Sequence, residues 1–290
     1  MLMNEKGIHI KYLPMLERPL MIIGFNGWGN AMDISKGMVV YLAKKLKGRE
    51  FATLNPDVFY RFDASRPFVK IEMGKLNQLI MPGGTFFEAK TDPGERDLVI
   101  FIAEEPNLRW YHFRDELFSI CEQMKIDTII TLGSMYDNVL HSDHMVSGVV
   151  SNEKIAQKLT EKNVNLIYYE GPSSIHSILQ EEAPKKGITC ISLWCHCPYY
   201  IQETIHFGLL AHLGGLLSFL GEFSLETAEL EKNWHILDKK IEALIESKPE
   251  IQAVVAELKK AKARGVWEKR QATLKKDEKV INLKDFMEPD

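Results

Sequence analysis

The chain has 290 residues, 45% of them hydrophobic and 26% charged, with a formal net charge of -4. That length suits one large domain or a domain with an appendage, and the sequence shows neither low complexity nor a solenoid-length repeat. Lys and Arg are spread among acids, which argues against a nucleic-acid partner; even the basic stretch from Lys259 to Lys276 is diluted by Glu268 and reads as a solvated helix face.

The first residues, "MLMNEKGIHIKYL", put charges where a signal peptide needs an apolar core. The longest apolar stretch, Phe207 to Leu220, falls short of the roughly 20 residues a membrane span requires. It reads as a buried helix, so no membrane is expected and the location is expected to be cytoplasmic. Four cysteines, Cys121, Cys190, Cys195 and Cys197, fit a reducing compartment in which thiols serve as small apolar side chains.

Strand-length apolar runs alternate with segments of helical period, which predicts an α/β fold with a largely parallel sheet. "LMIIGF" (20–25) is a strand, and Ala31, Ile34, Met38, Leu42 and Leu46 form one stripe of the helix that follows. Between 51 and 89 the pattern breaks into "FVKIEM" and "NQLIMP", separated by Gly74 and closed by Pro82, Gly83 and Gly84. This predicts a hairpin inserted at one edge of the sheet. "LVIFIA" (98–103) resumes the rhythm, followed by a helix carrying Trp110, Phe113, Leu117, Ile120, Cys121 and Met124. Further strands are predicted at 128–134, 148–151, 166–171 and 188–195, with helical segments between them.

Beyond Gly221 the spacing of Leu230, Trp234, Leu237, Ile241, Leu244, Ile251, Val255 and Leu258 is heptad-like. Pro249 should split this region into two helices that fold back on each other or pack on another subunit. The organisation predicted is an α/β domain over 1–221 and a helical region over 222–290 with a loose tail.

The stretch "AEEPNLRWYHF" (103–113) crowds two acids, a guanidinium and an indole where a strand hands over to a helix. Ligands of open parallel sheets sit at such strand ends, where Glu105 and Asn107 fall. Arg109 could hold a carboxylate or phosphate and Trp110 could stack a ring. Equally, Glu104 or Glu105 could pair with Arg109 or Arg66 as a structural latch, with Trp110 filling core. The turn at 24–35 carries Gly27, Trp28, Gly29 and Asn30 before a helix N-terminus, a possible anion site. Its glycine order inverts the dinucleotide fingerprint, and glycines also serve tight packing.

Metal binding is not expected. "HSDH" (141–144) and "CHC" (195–197) lack paired C-x-x-C spacing, and on a strand Cys195 and Cys197 face away from His196. In "YYEGPSSIHSIL" (168–179), Glu170 stands at a strand end and Ser173 or Ser174 at a helix N-cap. Ser173 and His176 lack the G-x-S-x-G elbow of a hydrolase.

Together, "GWGNAMD" (27–33), "DVFYRFDASRP" (57–67), "RDLVIFIAEEPNLRWYHF" (96–113), "TLGS" (131–134), "YEGPSS" (169–174) and "LWCHCPYY" (193–200) resemble the proteasome assembly chaperone family, in its prokaryotic branch. The resemblance runs in order from about residue 20 to about 245. It implies a three-layer α/β/α, phosphorylase/hydrolase-like domain followed by helices, in proteins that assemble as homo-oligomers, trimers among them. Its hallmark residues fall at Gly27, Trp28, Phe59, Tyr60, Arg66, Pro67, Glu105, Pro106, Arg109, Trp110, Gly133, Glu170, Gly171, Pro172, Pro198 and Tyr200. Asn30 and Arg61 replace acids that are common in the family, and Ser174 replaces a usual glycine. Relatives help build the proteasome α-ring, many through a C-terminal tyrosine that this chain, ending "FMEPD", lacks.

No arrangement of lysine and paired carboxylates for ATP and magnesium is visible, so no cofactor is expected. Two functional readings follow. One is a non-enzymatic assembly chaperone or scaffold that self-associates, with proteasome α subunits as possible partners. The other is a small-molecule binder or an enzyme, hydrolase-, phosphorylase- or ligase-like, using Arg66, Glu105, Arg109, Trp110 and Glu170.

Overall fold

The computed structural model describes residues 6–202, 204–263 and 281–282. In chain order the elements are β1 (Ile8–Ile10), β2 (Leu20–Asn26), α1 (Ile34–Lys45), β3 (Arg49–Leu54), α2 (Pro56–Phe59), β4 (Phe68–Glu72), β5 (Lys75–Ile80), β6 (Gly84–Ala89), β7 (Leu98–Glu104), α3 (Trp110–Gln123), β8 (Thr128–Asp137), β9 (Val146–Val150), α4 (Glu153–Glu161), β10 (Asn165–Leu166), α5 (Ile175–Glu182), β11 (Thr189–Pro198), β12 (Ile201–Gln202), α6 (Phe207–Gly221), α7 (Ala228–Ser247), α8 (Pro249–Ala263) and β13 (Ile281–Asn282).

Alternation along the strands decides the layering. In β2, Leu20 and Ile22 enter one apolar core while Met21, Ile23 and Phe25 enter another; β7 splits likewise, Leu98 and Ile100 against Val99, Phe101 and Ala103. Successive strand residues point to opposite faces, so two cores mean a sheet covered on both sides. One face is closed by α1, α4, α6, α7 and α8, the other by α2, α3 and α5. The fold is therefore a three-layer α/β/α sandwich.

The main sheet has nine strands in the order β1-β3-β6-β7-β2-β8-β11-β9-β10. Its centre, β7-β2-β8-β11, is parallel, and β1, β3 and β6 extend one side antiparallel. The hairpin of β4 and β5 is not inserted into that edge. It forms its own two-stranded sheet, because the apolar residues here lie on strands whose every position is exposed. The run 166–171 also departs from expectation. Only Asn165 and Leu166 pair, with Ser147 and Gly148 of β9, and Tyr168 and Tyr169 stand exposed.

Pro249 opens α8, and Lys248 before it is extended, at φ -121° and ψ 103°, as the steric demand of a following proline requires. The two helices fold back on each other, with Leu230, Trp234, Leu237 and Ile241 of α7 and Ile251, Val254, Val255 and Leu258 of α8 joining the same core as α1 and α6. The residues read as a loose tail lie outside the described residues; just before them, Ile281 and Asn282 pair in parallel with Ile201 and Gln202. No helix among the described residues is long and apolar enough to cross a membrane.

Candidate functional site

At the carboxyl ends of β2 and β7, Asn26 lies opposite Glu104. The Asn26 Nδ2 donates to both Glu104 oxygens, at 2.9 and 2.8 Å, and Lys36 Nζ stands 3.7 Å from Glu104 Oε1. The next residue behaves differently. Glu105 anchors its backbone N–H on Asn26 O at 2.7 Å and sends its carboxylate to a distant helix, where Oε1 accepts from Ile175 N at 2.9 Å. A carboxylate at the first amide of α5 satisfies an orphan donor and sits at the positive end of the helix dipole.

That reach depends on Gly27. Its φ of +149° suits glycine, and a Cβ there would lie 3.0 Å from Glu105 Cβ and 3.2 Å from Oε2. The N-cap of α5 is Ser174, but its hydroxyl makes no capping bond. Glu105 supplies from outside what the serine does not.

The pairing of Glu104 or Glu105 with Arg109 or Arg66 is absent. Arg109 is exposed, in the left-handed region at φ +53°, and neither it nor Arg66 nor Glu170 forms an ion pair with another described residue. The acids found nearer partners: an asparagine and a lysine for Glu104, a helix amide for Glu105. Asn107 ties the corner to the segment after α2, its Oδ1 accepting from Arg61 N at 3.2 Å and from Ser65 Oγ at 3.1 Å. Tyr60 Oη donates to Glu104 O at 2.7 Å. Trp110 is half-buried against the α3 side core, with Nε1 donating to Pro106 O.

The turn of Gly27, Trp28, Gly29 and Asn30 is tied to its surroundings through Asn30 and Gly29. Asn30 Oδ1 accepts from Lys36 N at 3.1 Å, its Nδ2 reaches Asn26 Oδ1 and Asp33 Oδ1, and Gly29 O accepts from Ser134 N. The Lys36 amide in the first turn of α1 is thus bonded to Asn30.

Trp28 instead leads to a cavity of about 480 Å³ between the sheet and α5. Its floor is Met135, Ser192, Trp194 and Val149, its roof is His176 and Gln180, and the segment of Ile167, Tyr169 and Pro172 closes one side. Trp28 and Trp194 meet edge to face, with centroids 6.3 Å apart. Trp194 lies flat across β8 because Gly133 stands opposite in register; a Cβ on Gly133 would come within 2.6 Å of the indole.

Beneath the cavity runs a buried polar row. Trp194 Nε1 and Thr131 Oγ1 donate to Ser192 Oγ at 3.0 and 2.9 Å, and His176 Nδ1 lies 2.9 Å from Thr131 Oγ1. Burial pulls the His176 pKa down to about 4, so the ring is neutral at pH 7. The sequence offered His176 and Trp194 in view but gave no reason to join them. Their union needs α5 packed over β11, and that packing is non-local.

A second array sits further along the same face. His196 Nδ1 is 2.7 Å from Asp137 Oδ2 and its Nε2 is 2.8 Å from Ser147 Oγ. The order serine, imidazole, carboxylate is that of an activated nucleophile, yet Ser147 is only 1% exposed and opposes Trp194 in mid-sheet. Its hydroxyl has no open face to a substrate. Cys195 and Cys197 turn to the opposite core.

Comparison with known proteins adds the following. The PAC2 family profile matches residues 21–245. A PAC2 family protein from Streptomyces avermitilis superposes with a TM-score of 0.72 at 27% identity, covering 82% of this chain and 99% of that one. A Mycobacterium tuberculosis proteasome-assembly chaperone homologue gives 0.74 at 22% identity, covering 81% and 99%. The Pyrococcus furiosus PbaB, an archaeal proteasome activator, gives 0.62 at 16% identity, covering 82% and 99%. No curated protein matches.

Proposed function

The chain belongs to the PAC2 family, and we propose that it is an assembly chaperone or scaffold that works in the cytoplasm by binding protein, a second copy of itself first, without turning over a substrate. The observation that carries this reading is the β4–β5 hairpin. Phe68 is 64% exposed, Ile71 61% and Leu76 60%, and Val69, Met73, Leu79, Ile80 and Met81 are exposed beside them. An isolated two-stranded hairpin is marginal in water, and exposed apolar side chains concentrated on one such element point to an interaction surface.

The few charges of the arm are largely spent within it. Lys70 Nζ pairs with Glu72 at 2.8 Å and Asn77 donates to the same carboxylate. An uncommitted apolar ribbon of low charge suits another copy of the chain, where both partners bury the same liability. Proteasome α-type subunits are the further partners proposed, on the names of the Mycobacterium and Pyrococcus proteins.

The rim of Glu105 and Asn107 supports the structural side of the account. Glu105 is committed to α5 and Asn107 to the segment after α2, and a catalytic acid or base needs a group free to react. Native purification followed by mass spectrometry of intact complexes tests the proposal. Multiples of the chain, alone or with proteasome subunits, are expected; a monomer carrying one stoichiometric metabolite would refute it.

A further inference from the structure

The cavity under α5 contains a feature that a structural void does not need. Gln180 lines it, and its Oε1 is buried without a hydrogen-bond partner. The amide is not free to turn away, since its Nε2 donates to Cys190 O at 3.2 Å. A buried acceptor left unpaired is unfavourable, and such a group in a cavity wall asks for a donor from outside.

His176 lines the same cavity. Its Nδ1 is engaged by Thr131 Oγ1 at 2.9 Å and by Ser192 Oγ at 3.4 Å, hydroxyls that serve as donor or acceptor alike. That leaves Nε2 as the ring nitrogen with no hydrogen-bond partner among the described residues. The cavity thus presents one unpaired acceptor and one uncommitted ring nitrogen, and Glu181 also lines it, its carboxylate held by Lys185 Nζ at 3.1 Å.

The remaining lining is mostly apolar, with Ser173, Ser174 and Ser177 as its polar part and Trp28 and Trp194 at one side. A volume of about 480 Å³ is within the roughly 300–1,000 Å³ of small-molecule pockets and too small for a protein segment of any length. We propose that this cavity is a binding site for a flat, amino-substituted heteroaromatic molecule, whose amino group donates to Gln180 Oε1 while its rings lie against Trp28 and Trp194. A carboxylate in the amino group's place would set acceptor against acceptor at Gln180 Oε1 and is disfavoured. The site is independent of self-association through the β4–β5 arm.

The experiment titrates the full chain with 2-aminoquinoline, 2-methylquinoline and quinoline-2-carboxylate, using saturation-transfer NMR and calorimetry. At a pH where both rings are neutral, the first two differ by exchange of the amino donors for a methyl group of the same size. Saturable binding of 2-aminoquinoline below about 1 mM is expected, with 2-methylquinoline at least about tenfold weaker and the carboxylate not bound. Gln180→Met and Trp28→Ala should each weaken 2-aminoquinoline about tenfold. Trp28 is an exposed residue, so its variant reports on the site even if Gln180→Met folds poorly. Absence of saturable binding, equal affinity for the methyl compound, or affinity unchanged in both variants would overturn the proposal.

Discussion

Glu105 Oε1 accepts the backbone N–H of Ile175 at 2.9 Å, joining residues 70 positions apart. A carboxylate at the end of β7 thereby caps α5, the helix that roofs the cavity, and the two acids of the corner take separate tasks. Glu104 holds the turn after β2 through Asn26. Glu105 sets where α5 begins.

Removing that cap should cost what a cap is worth. Glu105→Ala is expected to lower stability by about 1 kcal/mol, and Glu105→Gln, which keeps an acceptor oxygen, by less. Urea unfolding of the two variants beside the parent measures the difference. Equal loss in both would mean that the negative charge at the helix N-terminus, not an acceptor oxygen, is what α5 needs; no loss in either would contradict the cap.

Arg109 gives the opposite expectation. It is exposed and has no ion-pair partner among the described residues, so Arg109→Ala should change stability by no more than about 0.5 kcal/mol. A loss of several kcal/mol in the same assay would show that the guanidinium is paired after all.

Gly133 is expected to be intolerant of a side chain. Its Cβ would fall 2.6 Å from an indole whose Nε1 is fixed on Ser192, and overpacking of this kind costs about 1–3 kcal/mol. Gly133→Ala should therefore shift the denaturation midpoint and alter near-ultraviolet dichroism from Trp194. An unchanged spectrum would show that the indole is not held there.

Acid should weaken the fold through its buried histidines. Burial draws His176 from 6.5 down to about 4 and His206 down to about 3, and also lowers His141, His144 and His212. His144 Nε2 is buried without a partner. Below pH 6.5 the unfolded chain takes up protons that the folded chain refuses, so stability is full above 6.5 and is lost as pH falls toward the folded values. For His176 alone that difference is about 3 kcal/mol. Urea midpoints that stay constant from neutral pH down to 4 would contradict this.

The centre of the sheet was legible because its strands are buried on both sides. Runs such as Leu98 to Ala103 have little else to be, and the stripe Ile34, Met38, Leu42 can only face a core. The flanking strands β3 and β6 were not legible, since their alternation merges with that of the hairpin and only long-range pairing separates them. The corner of Glu105 and Arg109 was recognisable as special from residue types, but partners were beyond reach. Sequence proximity suggested Arg109 for Glu105, whereas the backbone at Arg109 turns left-handed and a helix amide from residue 175 arrives instead. The cavity was hidden for the same reason: Trp28, His176 and Trp194 share no stretch of chain.

The central claim is that the exposed β4–β5 arm exists to be covered by another copy. Multi-angle light scattering of the full chain at micromolar concentration, beside a variant carrying Phe68→Asp, Ile71→Asp and Leu79→Asp, tests it most directly. The account predicts a mass that is a whole multiple of 33.3 kDa for the parent and a folded monomer for the variant. A monomeric parent, or a variant that assembles as the parent does, would contradict it.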